Sequence, residues 1–138
     1  MIGLDTNVLT RYYVEDESDK EATKQREAAR TLIESGKALM VCKTVLLEFE
    51  WVLRGYYELR PVEIRAILRH LLSMPQVLIE DRQSVELALA NAESGIDMAD
   101  ALHHASYRQC VSVASFDDRK FARRVKKLGM LPAVNIPA

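Results

Sequence analysis

Met1-Ile2-Gly3-Leu4-Asp5-Thr6-Asn7-Val8-Leu9 sets the fold. Its first four residues are a short apolar run, and the three that follow are of the types that cap helices. A run of this kind reads as a buried strand, Met1 to Leu4, turning into a brief helix through Tyr13. The strand therefore ends on a carboxylate, Asp5, at the carboxyl edge of the sheet it joins.

The same alternation recurs to the end of the chain. The acidic stretch Glu15 to Asp19 is a solvated loop leading into a helix over Asp19 to Glu34, which Ser35-Gly36 ends. A second strand is expected over Ala38 to Cys42, and a strongly apolar helix from Thr44 to about Tyr57. Pro61 suits the first turn of the next helix, Pro61 to Leu72. Val77 to Ile79 is a third strand, and Arg82 to Glu93 a helix closed by Ser94-Gly95. Asp97 opens a helix to about Gln109, Val111 to Ala114 is a fourth strand, Asp118 to Leu128 a last helix, and Ala133 to Ile136 a short fifth strand. This order predicts a three-layer α/β/α domain with a central parallel sheet of four to five short strands. The strands are continuous apolar runs, which implies burial on both faces. No linker interrupts the chain, so residues 1–138 read as a single domain.

Composition narrows the function without naming it. Hydrophobic residues make up 49% and charged ones 28%, values of an ordinary globular protein. Net charge is −1, so any affinity for nucleic acid must come from a local basic patch. No apolar run approaches the roughly 18 residues of a membrane span. The charge at Asp5 comes too early for a signal peptide. Cys42 and Cys110 sit in apolar segments and suit buried free thiols in a reducing cytoplasm; neither has the partners of a zinc site.

The acids gather at one edge. Asp5 follows the first strand, Glu48 lies about one turn into the helix after the second, and Asp117 follows the fourth through Ser115-Phe116. A right-handed crossover starts the helix of Asp97 and Asp100 at the same edge. Their spacing places both on one helix face, with His104 and Arg108 continuing it. Two carboxylates about 4 Å apart repel by roughly 4 kcal/mol at an effective dielectric near 20. Four such groups call for a cation, and an all-oxygen set suits Mg²⁺ or Mn²⁺, ions that serve phosphodiester hydrolysis. Each acid also has a plain structural use. Asp5, Asp97, Asp117 and Asp118 can cap helices, and Asp100 can answer a helix dipole. Glu50, with Arg54 four residues on as a surface pair, is as well placed as Glu48.

Four segments carry a resemblance: Ile2-Gly3-Leu4-Asp5-Thr6-Asn7-Val8-Leu9, Thr44-Val45-Leu46-Leu47-Glu48, Asp97-Met98-Ala99-Asp100-Ala101-Leu102-His103, and Ser115-Phe116-Asp117 with Phe121-Ala122-Arg123. In this order they resemble PIN-domain nucleases, and among them the VapC-like toxins of prokaryotic toxin–antitoxin pairs. The resemblance implies that Asp5, Glu48, Asp100 and Asp117 bind Mg²⁺, with Mn²⁺ able to substitute, and that Glu48 is preferred to Glu50. It makes Asp97 an accessory acid, Thr6 and Ser115 orienting residues, and Asn7 a support for the first turn. One residue more than is usual separates Asp117 from Phe121, so Asp118 competes for the fourth position. The family further implies a homodimer, an antitoxin protein that blocks the site, often through a basic residue, and structured RNA such as transfer RNA as substrate.

Other features bear on the same reading. Arg119, Lys120, Arg123, Arg124, Lys126 and Lys127 surround an apolar stripe in the last helix. They form a solvated face or, with Arg119, Arg123 and Arg124 foremost, a contact for RNA phosphates. His103 and His104 suit structural or supporting roles, His104 being nearer the acids. Thr44 to Arg69, with Trp51, Tyr56 and Tyr57, offers a dimer face or antitoxin groove. The competing functions are a catalytically inactive PIN-like protein that acts by binding a partner or RNA, and a phosphotransfer domain. The second lacks its paired acids, since Asn7 stands where a phosphatase would carry a second aspartate.

Overall fold

A computed structural model describes residues 1–138, which divide into two compact units, Met1–Glu80 and Asp81–Ala138. The first unit runs β1 (Ile2–Gly3), α1 (Thr6–Tyr13), α2 (Lys20–Ile33), β2 (Leu39–Val41), α3 (Lys43–Gly55), α4 (Pro61–Ser73) and β3 (Val77–Ile79). Its strands pair in parallel in the order β1-β2-β3, with Gly3 opposite Met40 and Met40 opposite Leu78. Capping residues set the helix starts: the Asp19 carboxylate accepts the Glu21 N–H at 2.9 Å, and Pro61 occupies the first turn of α4. Gly36, at φ +81°, carries the chain out of α2 in a conformation that side chains disfavour.

The core of this unit follows the apolar periodicity. Leu9, Ile33, Leu39, Val41, Phe49, Leu53 and Leu71 are all fully buried. Burial on both strand faces, expected from the sequence, is not what forms. Leu39, Val41, Val77 and Ile79 turn into the core, whereas Leu78 is 50% exposed and Ile2 40%. The pleat sends successive residues to opposite faces, and only one face of β3 meets the helical core.

The second unit comprises α5 (Arg82–Glu93), α6 (Met98–Ser106), β4 (Ser112–Ala114), a π-helical turn (Asp118–Ala122), α7 (Arg123–Lys127) and β5 (Ala133–Asn135). β4 and β5 pair in parallel, Val113 opposite Val134. Ala88, Leu89, Ala101, Ala105, Phe121 and Val125 are buried in its core. α6 stops at Ser106, short of the expected Gln109, and Arg108 beyond it turns inward to Ser84, the Ala105 carbonyl and Asp81. Of the two thiols expected to be buried, Cys42 is partly covered and Cys110 exposed.

Candidate functional site

In the first unit the carboxyl edge of the sheet gathers the polar groups. The β1 ladder continues through a Leu4 N–H bond to the Met40 carbonyl at 2.8 Å and releases the chain at Asp5. There the Asp5 carboxylate accepts the Thr6 N–H at 2.9 Å and caps α1. α3 begins one residue after β2 and has no side-chain cap of its own at Cys42. Glu80, just beyond β3, accepts the Lys43 N–H at 2.8 Å in its place. One turn further along α3, Glu48 is exposed and accepts a hydrogen bond from the buried Thr6 hydroxyl. Asp5, Thr6 and Glu48 thus form one connected group.

Glu50 is the opposite case. It is buried, and its carboxylate binds Arg54 at 2.9 Å, so the pair expected at the surface is sunk on the Glu50 side. Its charge is already answered, while Glu48 projects toward solvent beside the residue that follows Asp5. Asn7 is exposed on the first turn of α1.

In the second unit a second group forms around Asp100, half-buried in the first turn of α6. Burial first, then the negative charges of Asp97 and Asp117, push its carboxyl above the ordinary aspartate range; His103 and Lys120 pull it back down. Asp97 precedes α6 yet makes no side-chain capping bond, so its carboxylate is not consumed by the helix end. Asp117 does cap, accepting the Lys120 N–H at 3.0 Å, and its own N–H donates to the Ser115 hydroxyl at 3.0 Å. Ser115 therefore orients the turn that presents Asp117.

Between Asp117 and α7 the chain forms a π turn, Asp118–Ala122. The Ala122 N–H reaches back to the Asp117 carbonyl, one residue beyond an α-helical bond, and Phe121 stays in the core. Asp117 is left as the group acting on Asp100, and Asp118 turns to Arg123 at 3.5 Å. Of the basic residues singled out, Arg119 is exposed, Arg123 faces Asp118, and Arg124 donates to the Gly95 carbonyl.

His104 takes a structural role, as expected, and not the place nearer the acids. It is fully buried, its Nε2 2.7 Å from the Pro132 carbonyl and its ring edge-on to Phe121. The exposed His103 is the histidine whose charge reaches Asp100, and Lys120 joins it. His103 could have been found at i+3 from Asp100, one helical turn along the same helix.

All the carboxylates in the two groups are hard oxygen donors, and Asp100 is crowded by charge of its own sign, so the donor chemistry fits a divalent cation. No three His, Cys, Asp or Glu side chains converge closely enough to hold one without rearrangement. Each unit carries a carboxylate group of its own, Asp5 with Glu48 in the first and Asp97, Asp100 and Asp117 in the second.

Residues 2–127 match the family model of the PIN domain. No individually curated protein matches the chain. PIN domains are generally nucleases, and they typically depend on divalent metal. The match takes in every candidate acid from Asp5 to Asp117 and carries with it the three-layer α/β/α fold class; the chain belongs to the PIN-domain family.

Proposed function

We propose that this chain is a divalent-metal-dependent endoribonuclease, the toxin of a toxin–antitoxin pair, which cleaves structured RNA such as transfer RNA and so inhibits translation. The observation that carries the reading is the environment of Asp100, a carboxylate raised by burial and by two like charges within a PIN domain. Carboxylates crowded in this way are concentrated at functional sites, and a cation relieves their repulsion. In this reading Asp5, Glu48, Asp100 and Asp117 hold Mg²⁺, or Mn²⁺ in its place, with Asp97 assisting through water. The cation supplies Lewis acidity toward water and toward a phosphoryl oxygen.

The protein's own residues prepare that chemistry. The Thr6 hydroxyl orients Glu48, and the first N–H of α1 holds Asp5. Ser115 fixes the backbone of Asp117. Lys120, close enough to lower the Asp100 carboxyl, is available to a substrate phosphate together with the exposed Arg119. One family match running from residue 2 to 127 supports a single functional domain across both units.

The working form in this proposal is a cytoplasmic homodimer, silenced by an antitoxin whose basic residue meets the carboxylates. Trp51 and Tyr56, 61% and 73% exposed on and just after α3, suit an interface centre. No helix is long and apolar enough to cross a membrane. A catalytically inactive PIN-like protein that acts by binding a partner or RNA is the second reading, and the exposed Trp51 and Tyr56 suit it equally well.

Cleavage of total RNA by purified protein in Mg²⁺ or Mn²⁺ tests the choice, with wild type beside Asp5→Asn and Asp100→Asn. Cutting by the wild type, and a loss of at least a hundredfold in each variant, is expected for removal of a charged ligand. Equal cutting by all three would assign the activity to a contaminant or to a different site, and no cutting by any would favour the binding-only reading.

A further inference from the structure

Phe116 stands between Ser115 and Asp117 and is 82% exposed. Its neighbours are fixed. The Ser115 N–H donates to the Asn135 carbonyl at 3.0 Å, the Ser115 hydroxyl accepts the Asp117 N–H, and the Phe116 carbonyl accepts the Asp118 N–H at 3.1 Å. Four bonds, counting the Asp117 cap on Lys120, hold the segment in one geometry, so the ring is mounted on a rigid turn. The other phenylalanine of this region, Phe121, is buried against His104, so the fold covers one ring and leaves the other in water.

What surrounds the ring suits single-stranded nucleic acid. Arg119 and Lys120 are exposed three and four residues on, and the charge of Lys120 acts on the same Asp100 that Asp117 influences. An exposed flat apolar face, next in the chain to a candidate catalytic acid and followed by two exposed cations, has the parts of a stacking platform: phosphates go to the cations and a base to the ring. We propose that Phe116 stacks on an unpaired base beside the scissile phosphate, fixing where the strand is cut. This rests on the ribonuclease reading above and adds a base-recognition contact to it.

Stacking on an aromatic side chain changes affinity about 5- to 150-fold per base. With short single-stranded oligoribonucleotides in Mn²⁺, Phe116→Ala and Phe116→Leu should raise KM within that range, with a far smaller change in kcat. Phe116→Tyr should retain the wild-type KM. The leucine variant keeps apolar bulk without a π face, so it separates stacking from simple hydrophobic contact. Because the ring is exposed, thermal midpoints of all three should match the wild type.

A binding readout stands apart from chemistry. The chain has one tryptophan, Trp51, so Phe116→Trp in a Trp51→Phe background gives a single reporter at the turn. Its fluorescence should be quenched by the oligonucleotide in EDTA. Quenching without cleavage by the wild type would sink the ribonuclease reading and leave the stacking contact standing. Cleavage by the wild type with an unchanged KM in Phe116→Leu would overturn the stacking proposal alone. The stacking proposal also falls if Phe116→Ala alters only the molecular mass in solution, since the ring would then serve a protein interface.

Discussion

Asp100 is raised by burial and by Asp97 and Asp117, so the folded chain holds its proton more tightly than the unfolded chain does. The sign follows: in the metal-free protein, stability falls as pH rises from the ordinary value of 3.8 through the higher folded value, and neutral pH carries the full penalty. Asp100→Asn keeps the shape and removes the charge. Its metal-free thermal midpoint should exceed the wild type's at pH 7, and the gap should close near pH 3, where the wild-type carboxyl is protonated. Differential scanning calorimetry in EDTA checks this, and a lower midpoint for the variant at pH 7 would mean that Asp100 stabilises the metal-free fold. At this scale the sequence was readable wherever spacing along one element sufficed, as for Asp97 and Asp100. It could not separate Glu48 from Glu50, because both flank the same stripe of α3; the Glu50–Arg54 pair was legible as a local i,i+4 spacing, but the Thr6 contact that sets Glu48 apart is tertiary. His104 was misplaced for a related reason: its nearness to Asp100 along α6 says nothing about the Pro132 carbonyl that captures it.

Among the elements, α3 shows how burial and function divide one helix. Phe49 and Leu53 are fully buried, whereas Trp51 is 61% exposed two residues away. Phe49→Ala should cost about 3–5 kcal/mol in urea unfolding, since it empties a closed core site. Trp51→Ala should stay within about 0.5 kcal/mol in a monomer. A comparably large loss at Trp51 would reveal that its surface is covered in solution, as the dimer reading expects. Helix starts were legible because Asp19 and Pro61 act locally, within one turn. The end of α6 was not, since the chain leaves the helix where Arg108 finds Ser84 and Asp81, partners more than twenty residues distant in sequence. The π turn lies between these cases. The sequence placed a helix after Asp117, but that its first turn is π-wound goes with Phe121 and Ala122 both being held in the core.

Over the whole molecule, the proposed function makes metal binding and stability one measurement. A ligand that binds only the folded state raises stability by about 2.7 kcal/mol at a hundred times its Kd. Thermal unfolding in rising Mn²⁺ should therefore lift the wild-type midpoint by several degrees, and EDTA should reverse it. Asp5 belongs to the first compact unit and Asp100 to the second, so variants of each ask whether the two carboxylate groups act as a single set. If they do, Asp5→Asn and Asp100→Asn each remove most of the Mn²⁺ gain, and the double variant removes little more, because the second loss falls on a set already broken. If the groups act separately, the two losses add, and each single variant keeps about half the gain. A wild type that gives no response to Mn²⁺ at millimolar concentration would remove the metal from the proposal and leave RNA or partner binding as the use of these acids.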